Sequence, residues 1–182
     1  MTEKQLIEGC LKGNAKSQRG LFDRFKGKMM AVCRRYASDL TEAEDMLQEA
    51  FIKVFTNIGQ YRGEGSLEGW VRRIVVNTTL EILQKRRIRF TDIDKEAETL
   101  PSTEADVFAA MSAEDLLKLI CGLPEGYRVV FNLYVIEGYD HNEIAALAGI
   151  NPATSRSQLL KARRALQEQI ESLNRVSNNY AS

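Results

Sequence analysis

The chain has 182 residues, 44% of them hydrophobic, enough for packed cores in one large or two small domains. Twenty-five Lys and Arg balance 25 Asp and Glu, and no apolar run approaches the ~18 residues of a membrane span, so a soluble cytoplasmic chain without membrane insertion is expected. His141 is the only histidine, and Cys10, Cys33 and Cys121 are far apart, which argues against a zinc site or a Ser-His-Asp triad and for core thiols in a reducing compartment. No metal or cofactor is expected.

From Lys4 to Tyr36 apolar residues recur at helical spacing: Leu6, Ile7, Cys10 and Leu11, then Leu21, Phe22, Phe25, Met29, Val32, Cys33 and Tyr36, with Gly13-Asn14 breaking the two runs. This reads as core. Thr41 and Glu44 have the spacing of a capping box for the next helix. There Ala43, Leu47, Ala50 and Val54 form the inner stripe, while Asp45, Gln48, Glu49 and Ile52 share the outer face. Carboxylates around an exposed aliphatic side chain suit a protein partner, and an ordinary solvated face is the blander alternative.

The stretch Tyr61–Arg89 organises the first half of the chain. A loop with Gly63 and Gly65 precedes Ser66, a natural helix N-cap, and no proline interrupts the helical run after it. Leu67, Val71, Ile74, Val75, Thr78 and Ile82 fall on one stripe, expected to be buried. Arg73, Asn77, Leu80, Glu81 and Gln84 share a second, largely polar face. Arg72, Arg73, Lys85, Arg86, Arg87 and Arg89 stand against a single acid, Glu81. Basic charge beside a polar face suits nucleic acid. For the arginines alone, a solvated basic face fits equally well.

Charge then changes sign. Residues 1–90 hold 17 basic and 11 acidic side chains, a net +6; residues 91–126 hold 2 and 9, a net −7; the remainder is +1. The acidic run contains Pro101 and few large apolar residues, so it is expected to be extended and mobile. The division expected is an N-terminal helical domain over 1–90, an acidic linker over 91–108 and a C-terminal domain over 109–182. The linker either covers the basic N-terminal face or acts as a spacer.

The C-terminal block regains helical periodicity. Ser112 to Asp115 opens a helix that Gly122 ends, Val129, Val130, Leu133 and Tyr134 are expected inside, and Asp140 with Glu143 forms a capping box. Ile144, Ala145, Leu147, Gly149 and Ile150 have helix-turn-helix spacing, and Asn151-Pro152 supplies an N-cap and first position for a second helix. Leu159, Ala162 and Leu166 bury that helix. Arg156, Ser157, Leu160 and Lys161 project from its outer side, where such motifs meet base edges. A plain helical hairpin is the alternative.

These stretches together resemble a bacterial RNA polymerase sigma factor of the extracytoplasmic-function group in the sigma-70 family. The resemblance covers nearly the whole chain. TEAEDMLQEAFIKVF is similar to the segment that grips the clamp helices of the polymerase beta-prime subunit. YRGEGSLEGWVRRIVVNTTLEILQKRR resembles the segment that recognises and melts the minus-ten promoter element, and LPEGYRVVFNLYVIEGYDHNEIAALAGINPATSRSQLLKARRAL the domain that reads the minus-thirty-five element. The fold implied is all-α, with two small helical domains. The partners implied are core RNA polymerase (beta-prime clamp and beta subunits) and promoter DNA, and the family is compatible with an anti-sigma factor.

By position, the resemblance gives Asp45, Gln48 and Glu49 to the clamp, and Ile52, on the same outer face, is expected to join them. It gives Asn77 to a flipped base, with the Tyr61–Gly65 loop, Tyr61, Arg62 and Gly63 among its residues, helping to form the pocket. From the polar and basic face of the helix itself, Arg73, Gln84, Arg86 and Arg87 are expected on the same DNA. Arg156, Ser157, Leu160 and Lys161 go to the upstream element, and Arg163 and Arg164 are expected from their charge to meet its phosphates. Three positions depart from the usual pattern. Ser155 stands where an aliphatic residue is common, Pro152 where a small or acidic one is, and Glu81 where Asn or Asp is. The function expected is a specificity subunit that places the polymerase at promoters, monomeric because no coiled-coil heptads appear. A dimerising helix-turn-helix repressor would need neither the acidic face nor the glycine-loop helix. A small helical hydrolase or nuclease would need a nucleophile–base set or clustered carboxylates, and neither is evident.

Overall fold

The structure is a computed structural model that describes residues 1–86 and 112–180. Among these residues every regular element is helical. The chain divides into two compact units, Met1–Arg86 and Arg87–Ser182. The acidic segment expected over 91–108 lies outside the described residues, as does Arg87.

In the first unit, α1 (Glu3–Leu11), α2 (Ala15–Arg34), α3 (Leu40–Asn57) and α4 (Leu67–Lys85) form a bundle, with a 3-10 turn, Ile58–Gln60, after α3. Its start signals are local. Thr2 and Gln5 form a capping box on α1, and the Asn14 side chain accepts from the Ser17 N–H at 3.0 Å to open α2. Leu11, expected inside, ends the first helix exposed.

The opening of α3 differs from expectation. Asp39, not Thr41, is the cap, and its carboxylate accepts from the Glu42 N–H at 2.8 Å. An extended backbone at Asp39 places a carboxylate against the free N–H groups one turn on, which draws the helix start ahead of Thr41. Glu44 stays exposed, and the carboxylate that folds back is that of Glu42. Only 8% exposed, Glu42 accepts from the Ser38 N–H at 2.7 Å, from the Ser38 hydroxyl, and from the Arg86 guanidinium just beyond α4. One carboxylate therefore ties the start of α3 to the end of α4. Glu42→Ala should lower the unfolding free energy by about 2 kcal/mol, the scale of charged hydrogen bonds lost from a buried site, measured by denaturant unfolding.

Helix α4 packs against both α2 and α3. It is therefore buried over a wider arc than one stripe: Leu67, Val71, Val75 and Thr78 are inside as expected, but so are Val76, Thr79, Leu80 and Leu83. Leu80, assigned from periodicity to the polar face, is 2% exposed. Ile74, at the margin of the covered arc, and Ile82 are only half-buried.

The second unit contains α5 (Ala113–Cys121), α6 (Glu125–Phe131), a π-helical turn (Asn132–Ile136), α7 (His141–Ala148) and α8 (Pro152–Tyr180). Helices α5, α6 and α7 all pack on α8. Val129, Val130 and Leu133 are buried as expected, but Tyr134 is 37% exposed. The wider π turn takes Tyr134 out of the α-helical register that would bury it, and its ring stacks on His141 instead, centroids 4.6 Å apart.

The cysteines are free thiols, with Cys10 and Cys33 buried and Cys121 half-buried. Burial pushes the Cys33 thiol up to about 11, so it is protonated and unreactive at neutral pH.

Candidate polymerase and promoter interfaces

Three surfaces carry the residues singled out from the sequence. The first is the outer side of α3. Asp45, Gln48 and Ile52 are exposed and Glu49 is half-buried, while Ala43, Leu47, Ala50 and Val54 face the core. Ile52 is 65% exposed. Gln48 also borders a largely open hollow of about 390 Å³ lined with Phe22, Met30 and Leu47. The face thus combines carboxylates, an exposed apolar side chain and an adjoining apolar depression.

The second surface is built by the glycine loop and α4. Gly63 and Gly65 have φ of 77° and 85°, a region other residues seldom adopt, so the loop's tight bend depends on both. The Tyr61 hydroxyl donates to the Gly65 carbonyl at 2.9 Å, and its ring lies 5.6 Å from Trp70, pinning the loop to the first turn of α4. Ser66 caps that helix as expected, accepting from the Gly69 N–H at 3.0 Å. Arg62, Arg73 and Gln84 are exposed and Asn77 is half-buried.

Asn77 lines a groove of about 250 Å³ between α4 and the end of α3, with Trp70, Ile74, Thr78 and Glu81 on its own side and Lys53, Asn57 and Gln60 opposite. Asn57 Nδ2 donates to the Lys53 carbonyl at 2.8 Å, and Gln60 Nε2 donates to Asn57 Oδ1 at 2.9 Å, so the far wall is held in place. Lys53 pairs with Glu81 across the groove. Asn77 Oδ1 is buried and accepts no hydrogen bond. An unmatched amide in a groove edged by an aromatic ring is suited to the edge and face of a nucleobase. Arg86, grouped with this surface from the sequence, is drawn to Glu42, although its side chain remains 57% exposed.

Sequence periodicity missed the groove's far wall. Trp70 could have been found, since Trp70, Ile74, Asn77 and Glu81 follow one another along one side of α4. Lys53, Asn57 and Gln60 could not, because only the packing of α3 on α4 brings them to Asn77.

The third surface is the helix-turn-helix. Asp140 accepts from the N–H groups of Asn142 and Glu143, and Glu143 accepts from the Asp140 N–H at 2.8 Å, the capping box expected from the sequence. Gly149 ends α7 with φ of 69°, and the Ile150 N–H donates to the Ala145 carbonyl at 3.1 Å, which forms the turn. Asn151 Oδ1 accepts from the Thr154 N–H at 2.7 Å, and Pro152 takes the first helical position, where its missing N–H costs nothing. Leu159, Ala162 and Leu166 are buried. Arg156 is exposed, while Ser157, Leu160, Lys161, Arg163 and Arg164 are half-buried along the same outer side.

Ser155 is fully buried. Its hydroxyl lies 2.9 Å from His141 Nδ1, so an atypical serine has a specific partner. Burial holds the His141 imidazole below its ordinary proton affinity, Arg156 and Arg163 lower it further, and Asp140 opposes them. Among the described residues no group of His, Cys, Asp and Glu is arranged to hold a metal ion, and no helix is long and apolar enough to cross a membrane.

Comparison with known proteins covers both units. Residues 21–88 match the family Sigma-70 region 2, and residues 113–166 match Sigma-70, region 4. The chain is 31% identical to the ECF RNA polymerase sigma-E factor of Escherichia coli (strain K12), over 95% of this chain and 96% of that relative. It is 29% identical to the RNA polymerase sigma-H factor of Pseudomonas aeruginosa, over 94% and 95%. Among solved structures, a sigma factor from Bartonella quintana in complex with the anti-sigma factor NepR aligns with 86% of this chain and 98% of its own. The TM-score is 0.52 at 20% identity, a likeness of fold.

Proposed function

We propose a division of labour within this chain, which belongs to the sigma-70 family of RNA polymerase sigma factors, in its extracytoplasmic-function (ECF) group. As a sigma factor it binds core RNA polymerase and promoter DNA and directs promoter-specific transcription initiation. On our reading, residues 1–90 hold the beta-prime clamp through Asp45, Gln48, Glu49 and Ile52 and take the minus-ten element through the loop and α4. Residues 109–182 read the minus-thirty-five element through α8, and 91–108 join the two. The chain supplies selection and no bond-making chemistry, and it works in the cytoplasm, where polymerase and promoters are. An anti-sigma factor is a further partner proposed for it, on the analogy of the NepR complex of the Bartonella protein.

The observation that carries this division is the unmatched Asn77 amide in its groove. With Oδ1 enclosed, it is the Nδ2 side of the half-buried amide that an extruded base edge meets in the groove, supplying an acceptor. Energy gained there offsets the few kcal/mol of unstacking. The test is reconstitution: the purified chain should co-elute with core polymerase and confer run-off transcription from promoters that core alone ignores. Transcription that is equally efficient when the minus-ten segment is scrambled would remove the role assigned to α4.

At the upstream element the six outward residues of α8 should separate into two kinds. Arg156, the exposed one nearest the helix start, is the base reader. Arg156→Ala should cost about 1–3 kcal/mol at one upstream base pair and relax preference there. Arg163→Ala or Arg164→Ala should weaken binding to all sequences and flatten its salt dependence. Binding assays over upstream variants and salt concentrations distinguish the two. A uniform loss for Arg156→Ala would reassign that residue to phosphate.

A further inference from the structure

His141 joins three elements of the C-terminal unit. It is the first residue of α7, its ring stacks on Tyr134 of the π turn at an interplanar angle of 22°, and Nδ1 meets the buried Ser155 hydroxyl of α8. Ser155 immediately precedes Arg156, so the imidazole is fixed to the recognition helix beside its most exposed reader. The ring is only half-buried, and Nε2, which makes no hydrogen bond among the described residues, is not fully enclosed. In a helix-turn-helix the first helix crosses the DNA backbone while the second enters the groove.

We propose that His141 is a DNA-binding residue whose contact depends on its proton: with Nδ1 donating to Ser155 Oγ, the imidazolium presents Nε2–H to a phosphate of the upstream duplex. The proton comes from solvent, and both ring nitrogens are donors once it is bound. The proposal rests on the reading of α8 as the upstream-element helix.

The charges around the ring give this contact a sign. Arg156 and Arg163 act on it from α8, Asp140 acts from the cap of its own helix, and Tyr134 covers one ring face. In the free protein, burial and the two guanidiniums disfavour the imidazolium. Duplex phosphates compensate those guanidiniums and add negative charge beside Nε2, so the bound state holds the proton more tightly than the free state. Affinity gained this way is fully present below the free-state value and is lost as pH rises through the bound-state value. Each unit between the two states corresponds to about tenfold in binding. A role confined to tying α7 to α8 would give no such pH dependence.

The experiment uses holoenzyme assembled from core polymerase and the full chain, on a promoter duplex selected by that holoenzyme from random sequence. Equilibrium binding is measured between about pH 6 and 8, bracketing the ordinary histidine value, for wild type and His141→Gln. Wild type should exceed His141→Gln by about threefold to tenfold at the acid end, with the ratio falling towards one at the basic end. A ratio that is constant with pH overturns the proposal and leaves His141 a structural tie. Wild type alone provides a second reading should His141→Gln fold poorly. Its additional pH slope must belong to duplexes that contain the upstream segment and vanish on duplexes truncated before it. An equal slope on both also overturns the proposal. If wild type shows no preference for the upstream segment at any pH, the assignment of α8 itself fails, a separate result from a flat ratio on a preferred duplex.

Discussion

Holoenzyme carrying Asn77→Ala should bind a closed promoter with near-normal affinity and open it ten- to a hundredfold less well, the equivalent of about 1–3 kcal/mol of lost base contact. The side chain lines the groove with Trp70, and its Oδ1 is buried without a partner, so that oxygen has no hydrogen bond to lose among the described residues. Removing it should therefore leave the unfolding midpoint unchanged or slightly raised, because an unmatched acceptor disappears. That separates this residue from an ordinary core asparagine, whose loss lowers stability and function together. Capture of an extruded base follows duplex recognition, so the defect belongs to opening. Permanganate reactivity of minus-ten thymines should fall while binding to the same template holds, and a template already unpaired there should regain part of the lost activity. Binding and opening that decline in parallel, or a pre-melted template that gives no rescue, would mean that Asn77 contacts duplex or supports the fold.

Much of this geometry was legible in the chain because its signals are local. Ser66, the Asp140–Glu143 capping box, the left-handed Gly149 and the Asn151-Pro152 start each act within a turn of themselves, and the structure repeats them. Periodicity also identified the outward side of α3 and of α8 correctly. It failed where a helix has more than one neighbour. Leu80 looks polar-faced when α4 is projected alone, but α2 and α3 together cover more than a stripe, and Leu80 falls beneath them. Thr41 and Glu44 have capping-box spacing, but Asp39 is better placed because Glu42 turns inward to meet Ser38 and Arg86. That ion pair joins residues 44 positions apart, as the groove joins Lys53 and Glu81 28 apart. No periodicity within one helix encodes such distances. The His141–Ser155 bond is of the same kind: each residue is unremarkable in its own segment, and the turn at Gly149 brings them together.

The polymerase face should show the opposite behaviour to Asn77, with assembly lost before any promoter is met. Asp45 is exposed on α3 and makes no ion pair among the described residues, so reversing its charge breaks no ion pair among them. Asp45→Arg should preserve helicity and the unfolding midpoint while weakening association with core polymerase by several kcal/mol, the scale of a like-charge juxtaposition across an interface. Salt should restore part of the loss, since screening weakens repulsion at the interface rim. Ile52→Ala tests the apolar half of the same surface. At 65% exposure Ile52 contributes little to the fold, yet its burial against a partner is worth about 1.5–3 kcal/mol for the whole side chain. Its truncation should therefore reduce core affinity by about tenfold or more with little dependence on salt. Competition of each variant against labelled wild-type chain for limiting core polymerase measures both effects on one scale. Wild-type competition by Asp45→Arg would show that the carboxylate face of α3 is only solvated, and the clamp contact would then have to be sought elsewhere on the first unit.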